Sequence, residues 1–191
     1  MEQTDKTGTA FIIIAVGAVA IVLIILFAGG KFLSKLFGLP GQIITKVGEG
    51  LGITATPEQQ ATVKEINDLL DEWARNPQKN PFAPSYWKEI KAQATGNKVV
   101  KLYTNSIARA YAAQVKSSVG TFVDSPEKAV GFVNATEYKS QISYVADIFQ
   151  QMYGEDMLSY LVSHMDTAQQ LAYLKNILNT ANARPSGLVN A

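Results

Sequence analysis

The chain has no cysteine and a single histidine, His164. The first absence removes disulfides, thiol nucleophiles and thiolate metal sites. The second removes His-rich metal clusters and leaves any histidine-based triad one base at most. His164 falls in LSYLVSHMD, near the end of a short apolar helical pattern, where a helix C-terminus favours a cationic imidazole and gives the residue a structural role. Walker-type G-x-x-x-x-G-K-[ST] and strand-linked G-x-G-x-x-G patterns are also missing, so no phosphate-cradling loop is encoded, and Gly48, Gly50 and Gly52 read as a joint. Period-2 alternation of the kind a strand needs is nowhere sustained, which predicts an all-α fold. No cofactor is expected.

Charge is missing over one long stretch. Residues 7–30 carry none, and their centre, FIIIAVGAVAIVLIILFA, is apolar throughout. About 20 apolar residues suffice to span a bilayer as a helix. A buried core helix of this length would carry a polar stripe, and a signal peptide would open on a basic region, whereas the start MEQTDKTGT holds Glu2 and Asp5 against Lys6. The expectation is therefore an uncleaved single transmembrane helix, with Phe11, Ile12, Ile13, Ile14, Val22, Leu23, Ile24, Ile25, Leu26 and Phe27 as anchor residues. Lys31, Lys35 and Lys46 follow the span and Lys6 alone precedes it, which by the positive-inside rule puts the N-terminus outside and the remaining chain in the cytoplasm. Lys31, Phe32, Lys35, Phe37 and Lys46 then form an amphipathic interfacial segment, broken at Pro40 and Gly41. Residues 31–116 hold 12 Lys and Arg against 7 acids, and residues 117–191 hold 4 against 7. The proximal half is basic and the distal half acidic. No Lys/Arg cluster interleaved with aromatics is apparent on this reading, so nucleic acid is not an expected partner.

Helical periodicity dominates from residue 56 onward. The TPEQ box at 56–59 opens a helix whose Val63, Ile66, Leu69, Leu70 and Trp73 share a face, ended by Asn76 and Pro77. A second helix starts near Tyr86 with Ser85 as cap and stops at Gly96 and Asn97. A third begins near Lys98, with Val99, Leu102, Tyr103, Ile107, Ala110, Tyr111 and Val115 on one side. Then come a short helix after DSPE, a longer one from about Glu137 with Ile142, Val145, Ile148, Phe149 and Met152 inward, a short EDMLSYLVSHM helix, and a last helix opened by a capping box at Asp166 to Gln169 and carrying Leu171, Leu174, Ile177 and Leu178. The predicted organisation is 1–30 tail and span, 31–55 juxtamembrane segment and hinge, 56–183 helical bundle, and 184–191 a polar tail that is either disordered or a clasp on a neighbour.

Gly120-Thr121, the junction Tyr153-Gly154-Glu155-Asp156-Met157-Leu158, and Leu161 and Ile177 on core faces carry a resemblance to an annexin repeat over residues 107–182. It is similar to stand-alone units in Bacteroidetes bacteria and their phages. The resemblance implies a compact helical module but not the family's calcium chemistry. The loop Ser118-Val119-Gly120-Thr121 lacks its first glycine, and the positions for the distant carboxylate read Tyr160, Leu161, Val162 and Ser163, so calcium is not an expected ligand.

Catalysis has little support. Glu65, Asp68, Asp71 and Glu72 sit beside Lys64 and Arg75 as a solvated helix face would, and Glu89 in SYWKEIK is the one residue that a muramidase reading could use. The chain reads as non-enzymatic. The expectation that follows is a single-pass membrane structural protein of a membrane-containing virion, tethering the bilayer to the capsid. The alternative is a cellular membrane-anchored adaptor. The partners implied are the lipid bilayer, a capsid or other membrane-associated protein, and a second copy of the chain.

Overall fold

The computed structural model describes residues 56–119, 125–165 and 167–191. Helix α1, Pro57–Arg75, begins where expected: Thr56 Oγ1 accepts from Gln59 N at 3.3 Å, and Gln59 Oε1 accepts from Thr56 N at 2.8 Å. Its apolar face, Val63, Ile66, Leu69, Leu70 and Trp73, is buried. The chain then turns through a 3-10 segment, Pro77–Lys79, and an Asx turn in which buried Asn80 accepts from Phe82 N at 2.9 Å. This drops Phe82 into the core, its ring 5.8 Å from Trp73. Helix α2, Tyr86–Ala92, follows without a side-chain bond from Ser85, against expectation.

Helix α5, Lys139–Tyr153, is the element on which the others converge. Helix α3, Asn105–Lys116, helix α6, Met157–His164, and α2 pack against it. Helix α7, Ala168–Ala183, packs on α1 and on α4, Glu127–Ala135, with a smaller contact to α5. Gly154 at φ +69° closes α5 in the left-handed conformation. Helix α7 is capped by Thr167 with Gln170, one residue beyond the predicted box. Asp166 lies outside the described residues.

Two expectations along the chain are corrected. Residues 98–100 are not helical: they form strand β1, Lys98–Val100, paired antiparallel with β2, Leu188–Asn190, in the register Lys98 to Asn190 and Val100 to Leu188. Val99 and Val100 are β-branched, and the real helix waits for Thr104, whose hydroxyl accepts from Ile107 N at 3.4 Å. The core face of α3 is accordingly Ala108, Ala112 and Val115, while Ile107 is exposed. The polar tail is the second correction, being ordered against its own chain. Carbonyls of Pro185 and Ser186 accept from Lys139 N and Ser140 N at 2.9 and 3.1 Å, satisfying two donors that the start of a helix leaves without an intrahelical partner.

The expected fold class, an all-α chain led by a transmembrane helix, is also corrected. Among the described residues no helix is long and apolar enough to cross a membrane. Helix α1 has the length at 19 residues, but Glu58, Lys64, Glu65, Asp68, Asp71, Glu72 and Arg75 give it charge that a span would exclude. Residues 7–30 and the juxtamembrane segment lie outside the described residues. The structure gives seven helices and a two-stranded ribbon among the described residues.

Gly187 is needed twice over for the tail to lie as it does. Its φ is +98°, and a Cβ placed there would fall 1.9 Å from Ser140 Oγ, which itself donates to Lys101 O at 2.6 Å. Gly187→Ala should therefore lower unfolding free energy by about 2–4 kcal/mol, measured by urea denaturation followed by circular dichroism. An unchanged midpoint would mean that the tail does not lie against α5 in solution.

Candidate functional site

The most distinctive surface lies where α2 and β1 meet above α5. Tyr86 and Ile90 turn the buried side of α2 inward, leaving Trp87 partly exposed and Lys88, Glu89 and Lys91 exposed. Three α5 residues hold this helix in place. Ser143 Oγ accepts from Trp87 N at 3.0 Å and donates to Ala83 O at 2.6 Å. Buried Asp147 accepts from Trp87 Nε1 at 3.2 Å and from Lys88 Nζ at 3.3 Å. Tyr144 meets the indole nearly edge-to-face, with centroids 5.4 Å apart at 77°. The Trp87 ring is thus fixed in orientation, with the ammonium groups of Lys88 and Lys91 at 5.5 and 5.9 Å from its centroid.

Strand β1 packs against α2 and carries exposed Lys98, with exposed Lys101 just beyond it. Between Trp73 and Val119 the sequence carries eight Lys and Arg against one acid, Glu89. Lys79 pairs with Glu72 at 2.9 Å, Lys88 with Asp147, and Lys116 with Glu155 at 2.9 Å. Among the described residues Lys91, Lys98 and Lys101 have no carboxylate within ion-pair distance. Sequence reading missed this face because it took residues 98–100 as helix, without the long-range strand pairing that sets β1 beside α2. The signal was present in SYWKEIKAQATGNKVVKLY, where Tyr86, Trp87 and Tyr103 interleave with Lys88, Lys91, Lys98 and Lys101.

The predicted anchor residues Phe11, Ile12, Ile13, Ile14, Val22, Leu23, Ile24, Ile25, Leu26 and Phe27 lie outside the described residues, as do Lys31, Phe32, Lys35, Phe37 and Lys46. His164 sits exposed in the last turn of α6, Nδ1 2.8 Å from Tyr160 O and the ring 4.3 Å from that of Tyr160. Of the α1 carboxylates, Glu65 pairs with Lys175 at 2.7 Å, Asp68 with Lys64 at 2.6 Å, and Glu72 with Lys79. Glu89 is exposed among lysines. Tyr160 Oη donates to the carbonyls of Lys116 and Val119, the second of them within the loop that the annexin reading examined as a cation site, and Gly120 and Thr121 lie outside the described residues. Among the described residues no cluster of three or more His, Asp or Glu could hold a metal ion. An open polar trough of about 510 Å³ runs between α1 and α7, lined by Thr62, Lys175, Asn176, Asn179 and Thr180.

No protein-family model, curated protein or solved structure matches the chain at a significant level. The annexin-like assignment of residues 107–182 is therefore corrected. Its motif is a glycine-closed helix followed by an Asp-capped one, which Gly154 and Asp156 supply for local reasons in any helical hairpin. The single-pass tether between bilayer and capsid, the membrane-anchored adaptor, the outside N-terminus and the lipid and capsid partners are set aside as well. They all required a spanning helix, and the described helices provide none.

Two residues, one bridging α2 to α5 and one on α1, test the physical basis of the packing. Ser143→Ala removes the hydroxyl that bridges α2 to α5 and should cost about 1–3 kcal/mol of stability, read by urea denaturation. Asp71 on α1 has a buried Oδ1 without a hydrogen bond, and burial raises its carboxyl above the ordinary value of 3.8 despite nearby Arg75. A raised folded value contributes stability that is full below 3.8 and is lost as pH rises through the folded value. Asp71→Asn should hence raise the melting midpoint at neutral pH, with the gain shrinking toward zero as pH falls through 3.8.

Proposed function

We propose that residues 56–191 form a non-catalytic binding module that engages a polyanionic partner through the α2 and β1 face. The observation that carries this reading is the eight-to-one excess of cations over residues 73–119, in a chain whose net charge is only +1. Of these cations Lys88 and Lys91 lie by Trp87, and Lys91, Lys98 and Lys101 have no carboxylate partner among the described residues. Unpaired lysines on one face repel each other mildly and gain when an anion displaces their counterions. The acids of α1, by contrast, are mostly neutralised by Lys64, Lys79 and Lys175. Glu89 sits exposed on α2 between Lys88 and Lys91, on the face proposed to bind an anion.

Immobilised heparin tests the proposal. The protein should be retained at low salt and released steeply as salt rises, because each anionic contact gives up a condensed counterion. Reversing Lys91, Lys98 and Lys101 to Glu should weaken retention about tenfold or more. Reversing Lys64 and Lys128, which lie on other helices, should leave it nearly unchanged. Equal losses in the two variants, or no retention of the wild-type protein at low salt, would remove the proposal.

A further inference from the structure

Resting on that reading, we infer that the polyanion is single-stranded nucleic acid and that Trp87 is the platform on which one of its bases stacks. A purely electrostatic face needs lysines and nothing else. This one holds an indole in a fixed pose at its centre, with Asp147 on its N–H at 3.2 Å and Tyr144 against it at 5.4 Å. Tryptophan left partly exposed is costly in apolar area, and orienting it in advance removes the ordering penalty that a ligand would otherwise meet. The ammonium groups of Lys88 and Lys91 lie over the ring, 5.5 and 5.9 Å from its centroid, on long side chains that a stacking base would displace toward its flanking phosphates. Lys98 adds an exposed cation on β1, which packs against α2. The chemistry is that of an aromatic platform beside cationic side chains, which tolerates any base because every base has a π-face.

Duplex DNA fits less well. Helix α2 has seven residues and is bound down through Tyr86, Ile90 and its Ser143 contact, so it is not free to enter a major groove as a recognition helix does. An acidic protein segment would use the lysines and leave the indole idle.

The intrinsic fluorescence of the full chain provides the test. The other tryptophan, Trp73, is 0% exposed in the core, so a ligand-induced change reports Trp87. A poly-dT oligonucleotide of about fifteen nucleotides, near the upper site size of small single-strand binders, should quench the emission, and heparin should bind without quenching. Trp87→Ala should weaken poly-dT binding by about tenfold or more while leaving heparin retention within about twofold. Trp87→Phe, which keeps an aromatic face and protects the fold, should restore most of the poly-dT affinity. Binding of poly-dT without quenching, or equal affinity for single strand and duplex, would overturn the stacking assignment and leave the polyanion reading standing. Equal loss of heparin and poly-dT in Trp87→Ala would do the same by making Trp87 a support for the lysines. Failure of the wild-type protein to bind either polymer at low salt would overturn both.

Discussion

Helix α5 is buried almost all the way round, and the polar groups it carries into the interior must be satisfied there. Ser140, Gln141, Ser143 and Asp147 are all buried, and each finds its partner close by. Ser140 donates to the carbonyl of Lys101 after β1, Gln141 accepts from the backbone of Glu137 and Tyr138, Ser143 bridges Ala83 and Trp87, and Asp147 takes the indole N–H and the Lys88 ammonium. Leaving any of these groups unpaired would cost about 1–3 kcal/mol. An apolar helix at this position would accept neighbours at many angles, whereas these four side chains accept one arrangement of α2, β1 and the tail.

That requirement ties the fold to the surface proposed for binding. The same Asp147 that is buried for packing orients Trp87 and draws in Lys88, and the same Ser140 that fixes β1 sits under Gly187 of the tail. The C-terminal strand therefore does two jobs. It pairs with β1, and its preceding carbonyls cap the first N–H groups of α5. Lys98 on β1, and Lys101 just after it, stand where they do because the end of the chain folds back to pair with this segment.

Much of the helical framework was legible in the sequence. The Thr56 capping box, the α1 stripe ending in Trp73, the Gly154 stop and the Leu171, Leu174, Ile177 and Leu178 face of α7 depend on contacts within a few residues, and local pattern carries them. The ribbon was not legible. Lys98-Val99-Val100 and Leu188-Val189-Asn190 are too short to show alternation, and each becomes a strand only because the other, some ninety residues away, supplies its hydrogen bonds. The annexin-like junction misled for the opposite reason. A glycine cap and an aspartate cap in tandem are solved locally and recur wherever two helices meet.

By itself, then, the sequence determined most of the helical framework, the Thr56 and Gly154 helix ends and the excess of cations over residues 73–119, since these follow from side-chain type and spacing. It also excluded thiol and His-rich metal chemistry through the absent cysteines and the lone histidine. Only the tertiary structure decided that β1 packs beside α2, that Trp87 is held partly exposed between Tyr144, Asp147 and the ammonium groups of Lys88 and Lys91, and that the tail closes on α5. Those outcomes depend on pairing polar groups far apart in the chain inside a buried interior. A residue's neighbours in sequence do not say which distant donor or acceptor it will meet.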